Sequence, residues 1–426
     1  MEDERTEKLE APLLCPLPST TSGNASQFRT LGNIIVSVVG TGILGLPFAF
    51  KVSGWLAGSI GVAVAGIATC YCMLLLVQCR DTLVSKEGIP ETRTYGDVGY
   101  KCMGNAGRFT TELLIVFSQC GGAIAYLIFI GQNLESVFAF YGLSFRFFVF
   151  LLVPVEIALS WIESLSSMAI VSIFADMCNL LAMAIVVKED AERILSGDFN
   201  FMERKAVARD LRGILFAVGT AVFCFEGFGM TLALESSMVK KERFRSLLGK
   251  SFAGITLVYA VFGFSGFMAF GDQTKDIICL NLPHSWSSMA VQIGLSVALT
   301  FTFPIMLHPI REIIEAKLKK ARWFPKSCSG GGDVARGGAL MVYAERSVLI
   351  IALAVVASYV PSFGVFASLV GSTVCALISF VLPATFHLIL CGHSAPRWRV
   401  AVDCFVCACG AAVAIFGTYN AIVGVI

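Results

Sequence analysis

The sequence predicts an all-α polytopic membrane protein of about 11 transmembrane helices, folded as an inverted five-plus-five repeat with one extra helix. Three observations predict it. Hydrophobic residues make up 56% of the chain and charged residues only 15%, with a mean hydropathy of +0.77, far too apolar for a water-soluble protein. Apolar runs long enough to cross a hydrocarbon core of ~30 Å recur along nearly the whole length. Two of those runs, five apart, are interrupted at their centres by glycine-rich stretches, as when an internal repeat places two broken helices around one binding site.

Residues 1–30 open with Met1-Glu2-Asp3-Glu4-Arg5 and continue with Pro, Ser and Thr. Lacking an apolar core, they read as a disordered cytosolic tail and not as a signal peptide. The membrane domain, 31–426, begins with the run 31–50, LGNIIVSVVGTGILGLPFAF. Further runs lie at roughly 55–79, 110–138, 146–162, 165–187, 213–237, 248–270, 287–310, 347–362, 366–390 and 400–424. Repeat one then covers about 31–187, repeat two about 213–390, and the extra helix about 400–424. Most of the 32 basic residues fall in the tail and in every second loop, which places the N-terminus in the cytosol and loop 188–212 on the opposite face.

Span one carries the first interruption. Gly40-Thr41-Gly42 falls at mid-bilayer depth, with Gly45 and Pro47 behind it. Lipid offers freed backbone groups no water there, so such a break is tolerated where it lines a cavity; close helix packing is the other reading of the glycines. Gly40-x-Gly42-x-x-Gly45 also matches the dinucleotide fingerprint, but no strand precedes it, and no cofactor is expected. Span six carries the second interruption, Phe225-Glu226-Gly227-Phe228-Gly229. Five is odd, so the two halves run in opposite directions. Break one therefore presents the amino end of a half-helix, with the N–H groups of Gly42, Ile43 and Leu44 directed at an anion. Break two presents the carbonyl end near Phe223, Cys224 and Phe225, suited to a cation. An anion and a cation side by side describe an α-amino acid.

Six segments carry a resemblance: GTGILGLPFAF in span one, QCGGAIAYLIFIGQNL in span three, SIFADMCNL in span five, CFEGFG with LALESSM in span six, FGFSGFMAFGDQT with NLP after span seven, and FPIMLHPIREIIE at span eight. In order and spacing they resemble the amino acid/auxin permease family, most closely its plant and fungal vacuolar amino-acid transporters, relatives of the animal proton-coupled ones. The resemblance covers nearly all of the chain. It implies eleven spans, the inverted-repeat fold of the bacterial leucine transporter, and neutral amino acids moved together with protons in the vacuolar (tonoplast) membrane, with the plasma membrane the second choice. The chain departs from the family at Leu232-Ala233-Leu234-Glu235-Ser236, where members often have Leu-Pro-Leu-Glu-Asn, leaving the helix restart after break two open.

Ionisable residues within the spans are the remaining signal, because each costs ~2.5–3.5 kcal/mol at the bilayer centre. Ser172, Asp176 and Asn179 share one helical stripe on span five. Asp176 reads either as a proton carrier or as a fixed hydrogen-bond partner. Glu226, beside Gly227, either neutralises a substrate ammonium or caps the broken helix. Tyr126 on span three either closes over a substrate carboxylate or packs. Gly40, Thr41, Gly42, Ile43, Leu44, Tyr126, Phe223, Phe225, Glu226 and Gly227 are thus the candidate substrate site, and Asp176 the candidate for proton coupling. Glu156 and Glu235 read as structural, and His308 and His387 as polar groups near span ends.

No converging nucleophile, base or metal set appears within the spans, so no enzyme is expected. Cys404, Cys407 and Cys409 lack a matching second pair for a metal. A channel would favour oligomeric symmetry, for which eleven unlike spans are poor material; a monomer without nucleic-acid partners is expected. The function predicted is secondary active transport of neutral amino acids by proton coupling and alternating access, the alternatives being sodium coupling or an amino-acid sensor on a transporter fold.

Overall fold

The computed structural model describes residues 26–87, 94–161, 165–196, 201–283, 285–320, 332–360 and 362–423. The predicted tail lies almost wholly outside the described residues. The chain becomes helical at Gln27, four residues before the first apolar run, because Ser26 supplies an N-cap: its hydroxyl accepts from the Arg29 N–H at 3.3 Å.

The helices are α1 (Gln27–Val38), α2 (Leu46–Ser53), α3 (Trp55–Glu87), α4 (Tyr95–Val137), α5 (Phe145–Ser160), α6 (Leu165–Leu195), α7 (Leu211–Cys224) and α8 (Phe228–Ser237). They continue as α9 (Phe244–Phe270), α10 (Trp286–Lys320), α11 (Gly332–Tyr359), α12 (Phe363–Val370), α13 (Leu382–Cys391), α14 (Arg397–Ala412) and α15 (Thr418–Val423). Among the described residues, 8 helices are long and apolar enough to cross a membrane, and 9 if the bent pair 27–38 and 41–53 forms one span. The prediction of eleven counted α5 and α6 as well; α5 has only 16 residues.

Both predicted interruptions are present. Span one turns by 45° between α1 and the segment that follows; Gly40 is extended and Thr41–Gly45 forms a 3-10 turn leading into α2. Span six stops at Cys224 and restarts at Phe228 despite the missing proline at 233. Two further spans are unbroken but locally underwound. Gly371–Cys375 and Leu377–Val381 are π-helical between α12 and α13, as is Val413–Gly417 between α14 and α15.

Local chemistry starts the other elements. Thr94 and Asp97 form a capping box at α4, with bonds of 3.1 and 3.0 Å. Gly104, at φ 63°, kinks α4 near its start. Gly54, at φ 90°, turns α2 into α3 so closely beneath Ala206 that a side chain would strike that backbone. The 201–210 stretch then closes over the turn through Trp55 N–H to Lys205 O (3.1 Å), Leu56 N–H to Ala206 O (2.9 Å) and Ala208 N–H to Ser53 O (2.7 Å).

The halves of the two broken spans pack antiparallel. A Cβ at Gly213 would meet the Val52 carbonyl, and one at Gly42 would meet Cys224, so α2 runs against α7. One at Gly227 would lie 3.4 Å from Val38, and Ile34 lines the same void as Thr231, so α1 runs against α8. The core is continuous around this crossing and is extended by α3, α4, α9, α10 and α12.

Candidate functional site

The two breaks face each other. From Gly42 the nearest atoms to an added Cβ are Cys224 Sγ at 3.0 Å, Cys224 Cα at 3.4 Å and Phe223 Cδ1 at 3.5 Å. Thr41, Gly42, Ile43 and Leu44 are all buried, and Gly40 is half-buried. In a 3-10 turn each N–H donates to the carbonyl three residues back. With Gly40 as its cap, the turn draws the Ile43 and Leu44 N–H groups into its own ladder and leaves those of Thr41 and Gly42 without a partner inside it. The sequence reading placed the free donors at Gly42, Ile43 and Leu44, so the two sets share Gly42.

The carbonyl end is arranged differently from expectation as well. The Phe223 carbonyl accepts from the Glu226 N–H at 3.3 Å. The Cys224 carbonyl accepts from the Tyr259 hydroxyl at 3.2 Å, and the same hydroxyl donates to the Val38 carbonyl at 2.9 Å. Tyr259, on α9 and fully buried, therefore ties the last carbonyls of α1 and α7 together. Sequence reasoning missed it. The available signal was a lone tyrosine inside an otherwise apolar span, since a buried phenol finds a hydrogen-bond partner.

Of the aromatic candidates, Phe223 borders Gly42 and also approaches Gly371. Phe225 turns toward α9, with its ring 4.9 Å from Tyr259 and 6.1 Å from Phe252. Glu226 is half-buried in the gap between α7 and α8, beside the Phe228 N–H, and Gly227 is buried against Val38. Tyr126 lies half-buried on α4, one turn beyond Gly121 and Gly122, which approach Val370 and Met306. The Asp176 backbone lies in α6, but its side chain and that of Ser172 are outside the described residues.

The space at the crossing is small. A void of about 10 Å³ is lined by residues including Val38, Met73, Gly227 and Phe252, no larger than one water. A cavity of about 200 Å³ lies farther along the same α1–α8 seam, against Ser26, Gln27 and Met238. The opposite end is sealed. Asp276 Oδ2 accepts from the Phe363 N–H (2.9 Å), the Ser362 hydroxyl (3.1 Å) and Gln132 Nε2 (3.3 Å), and Lys51 Nζ donates to the Thr274 carbonyl at 2.9 Å. On the α1 side, Arg80 makes a buried ion pair with both carboxylate oxygens of Glu235 and holds Asp81 at 2.6 Å; Arg245 reaches Asp81 at 3.0 Å.

Two antiparallel helices are breached at one crossing, and the family described as transmembrane amino acid transporter protein matches residues 23–423. The chain belongs to that family. This transporter is 58% identical over 417 residues to amino acid transporter ANT1 of Arabidopsis thaliana, covering 97% of this chain and 96% of that one. It is 27% identical to vacuolar amino acid transporter 3 of Schizosaccharomyces pombe, covering 94% of this chain and 58% of the relative. Among solved structures it is similar to the inward facing conformation of Mhp1, with a TM-score of 0.59 at 10% identity over 98% of this chain and 95% of that one. It is also similar to MhsT in complex with L-phenylalanine, with a TM-score of 0.54 at 13% identity over 94% and 100% of the two chains. The transporter thus has the leucine-transporter fold and is a multi-span membrane protein.

Proposed function

We propose that this amino acid transporter moves neutral amino acids across the vacuolar membrane by proton coupling and alternating access, as a monomer of eleven spans with its N-terminus in the cytosol. The observation that carries the reading is the juxtaposition of Gly42 with Cys224 and Phe223. It brings free N–H groups of Thr41 and Gly42 to the carbonyl end of α7, so a zwitterion sits with its carboxylate at break one and its ammonium at break two. Gly40, Ile43 and Leu44 shape the first half of that site. Phe223, Phe225, Glu226 and Gly227 shape the second, Glu226 supplying negative charge beside the ammonium, and Tyr126 approaches from α4. The mostly apolar lining supports the neutral class, and the name of the S. pombe relative supports the vacuolar placement.

Alternating access is supported by asymmetry. The seam between α1 and α8 keeps small voids, whereas the end bearing Asp276 and Lys51 is bonded shut. Closure of one end while the other loosens is what a carrier needs.

The test is uptake by purified protein in liposomes, offering a panel of labelled amino acids with and without a pH gradient. Concentrative uptake of neutral amino acids driven by the gradient is expected. Asp176→Asn, which keeps the shape but cannot cycle a proton, should lose gradient-driven uptake and retain exchange of labelled for unlabelled amino acid at equal pH. Uptake driven by sodium and indifferent to the gradient would overturn the coupling assignment.

A further inference from the structure

A second set of titratable groups lies away from the crossing, in the contact between α3, α13 and α14. His387 Nδ1 and Asp403 Oδ2 are 2.7 Å apart, and the two residues are 1% and 0% exposed. The other carboxylate oxygen, Asp403 Oδ1, accepts from the Tyr71 hydroxyl at 2.6 Å. Three helices thus converge on one buried carboxylate, and one of its partners is imidazole, the side chain that exchanges a proton in the physiological range. Among the described residues, the other titratable or charged groups near this cluster include Cys70, Cys72 and Cys79 of α3, Tyr95 and Cys102 of α4, Cys391 of α13, and Arg399 and Cys407 of α14.

The cluster connects to break two by direct contact. Phe386, next to His387, packs edge-on against Tyr95 with ring centroids 6.0 Å apart. The other side of Tyr95 stacks on Phe228, the first residue of α8, at 6.4 Å, and its hydroxyl is fixed to the Ile378 carbonyl at 2.8 Å. A shift of α13 relative to α14 is therefore felt at the restart of the broken helix two residues beyond Glu226.

We propose that His387, held by Asp403 and Tyr71, is a proton-binding site within the membrane whose occupancy biases the arrangement of α8 through Phe386, Tyr95 and Phe228. Nδ1 faces Asp403, so an arriving proton adds at Nε2. With the proton bound, the pair is neutral overall and joined by a charge-assisted bond, which favours the closed contact seen here. Without it, a carboxylate charge remains in the bundle with neutral donors only, and the contact loosens. The inference deepens the transport reading and rests on it only for the readout by exchange.

Two measurements test it on the full-length protein: the melting temperature in detergent, and equal-pH exchange of labelled neutral amino acids in liposomes, each followed as a function of pH. The wild type should melt higher on the acid side, with a step as pH rises, and its exchange should titrate over the same interval. His387→Gln should remove both steps while exchange persists. Tyr71→Phe, the milder change, should keep a step with its midpoint displaced. A wild-type melting profile that is flat, or one that both variants reproduce unchanged, overturns the site. If His387→Gln does not insert, an unmoved midpoint in Tyr71→Phe overturns it alone. A wild type that exchanges no amino acid refutes the transport reading, and the melting profiles still decide the site.

Discussion

At Gly42 a single methyl group would lie 3.0 Å from Cys224 Sγ and 3.4 Å from its Cα, and the second contact is backbone that cannot swing aside. Val at this position should leave the protein inserted but drive the two breaks apart at the site proposed for the substrate carboxylate. Uptake should fall below detection in liposomes containing normal amounts of Gly42→Val; undiminished uptake would refute the site. At Tyr259 the expected outcome is milder. Phe keeps the ring against Phe225 and removes only the hydroxyl that serves the Val38 and Cys224 carbonyls. The two carbonyls share one O–H proton, and leaving a buried acceptor without its donor costs about 1–3 kcal/mol. Transport by Tyr259→Phe should therefore drop on the order of tenfold, the factor that ~1.4 kcal/mol produces in a rate, with a lowered melting temperature beside it.

Among elements, the contact of α3 with α8 and α9 depends on charge. Arg80 is 8% exposed and Glu235 2%, and removing one partner of a buried pair strands the other at a cost of about 3–5 kcal/mol. Glu235→Gln should lower the melting temperature by several degrees, and Arg80→Gln combined with it should recover part of the loss; a melting curve indifferent to the single change would show that the pair adds nothing. Sequence reasoning left Glu235 as structural without a partner. Arg80 lies at the far end of another apolar run, and no spacing rule links positions 155 residues apart. The interruptions themselves were legible, because glycine and the FEGFG stretch weaken a helix wherever they occur. Their internal geometry was not. Whether a chain restarts as α or 3-10 depends on what packs around it, and here Gly45 lies under Phe363, a contact that only tertiary structure creates.

For the whole molecule, composition was enough to identify the class, since 56% hydrophobic residues with only 15% charged lies far from ordinary soluble usage, and the six family segments were enough to identify the fold shared with Mhp1. Three features escaped. Tyr259, the Asp276 seal and the His387–Asp403 pair each join residues from different spans, and hydropathy registers each span separately. Orientation is the prediction that belongs at this scale. Ser196 is exposed just past α6, on the face opposite the cytosolic tail by the distribution of Lys and Arg. A cysteine placed there by Ser196→Cys should react with an impermeant thiol reagent only from the extracytosolic or luminal face of the membrane; labelling confined to the cytosolic face would invert the topology.

The π-helical stretches between α12 and α13 bear on how such a molecule changes state. A π turn holds one residue more than an α turn, so the span from Phe363 to Cys391 is wound with surplus length at 371–375 and again at 377–381. Relaxing one of them to α geometry would rotate everything after it by about 100°, the angle one residue subtends at 3.6 residues per turn. His387 would then swing off Asp403 and Phe386 off Tyr95 in the same movement, with no hinge and no loop involved: a screw motion confined to one helix, whose step is a single residue.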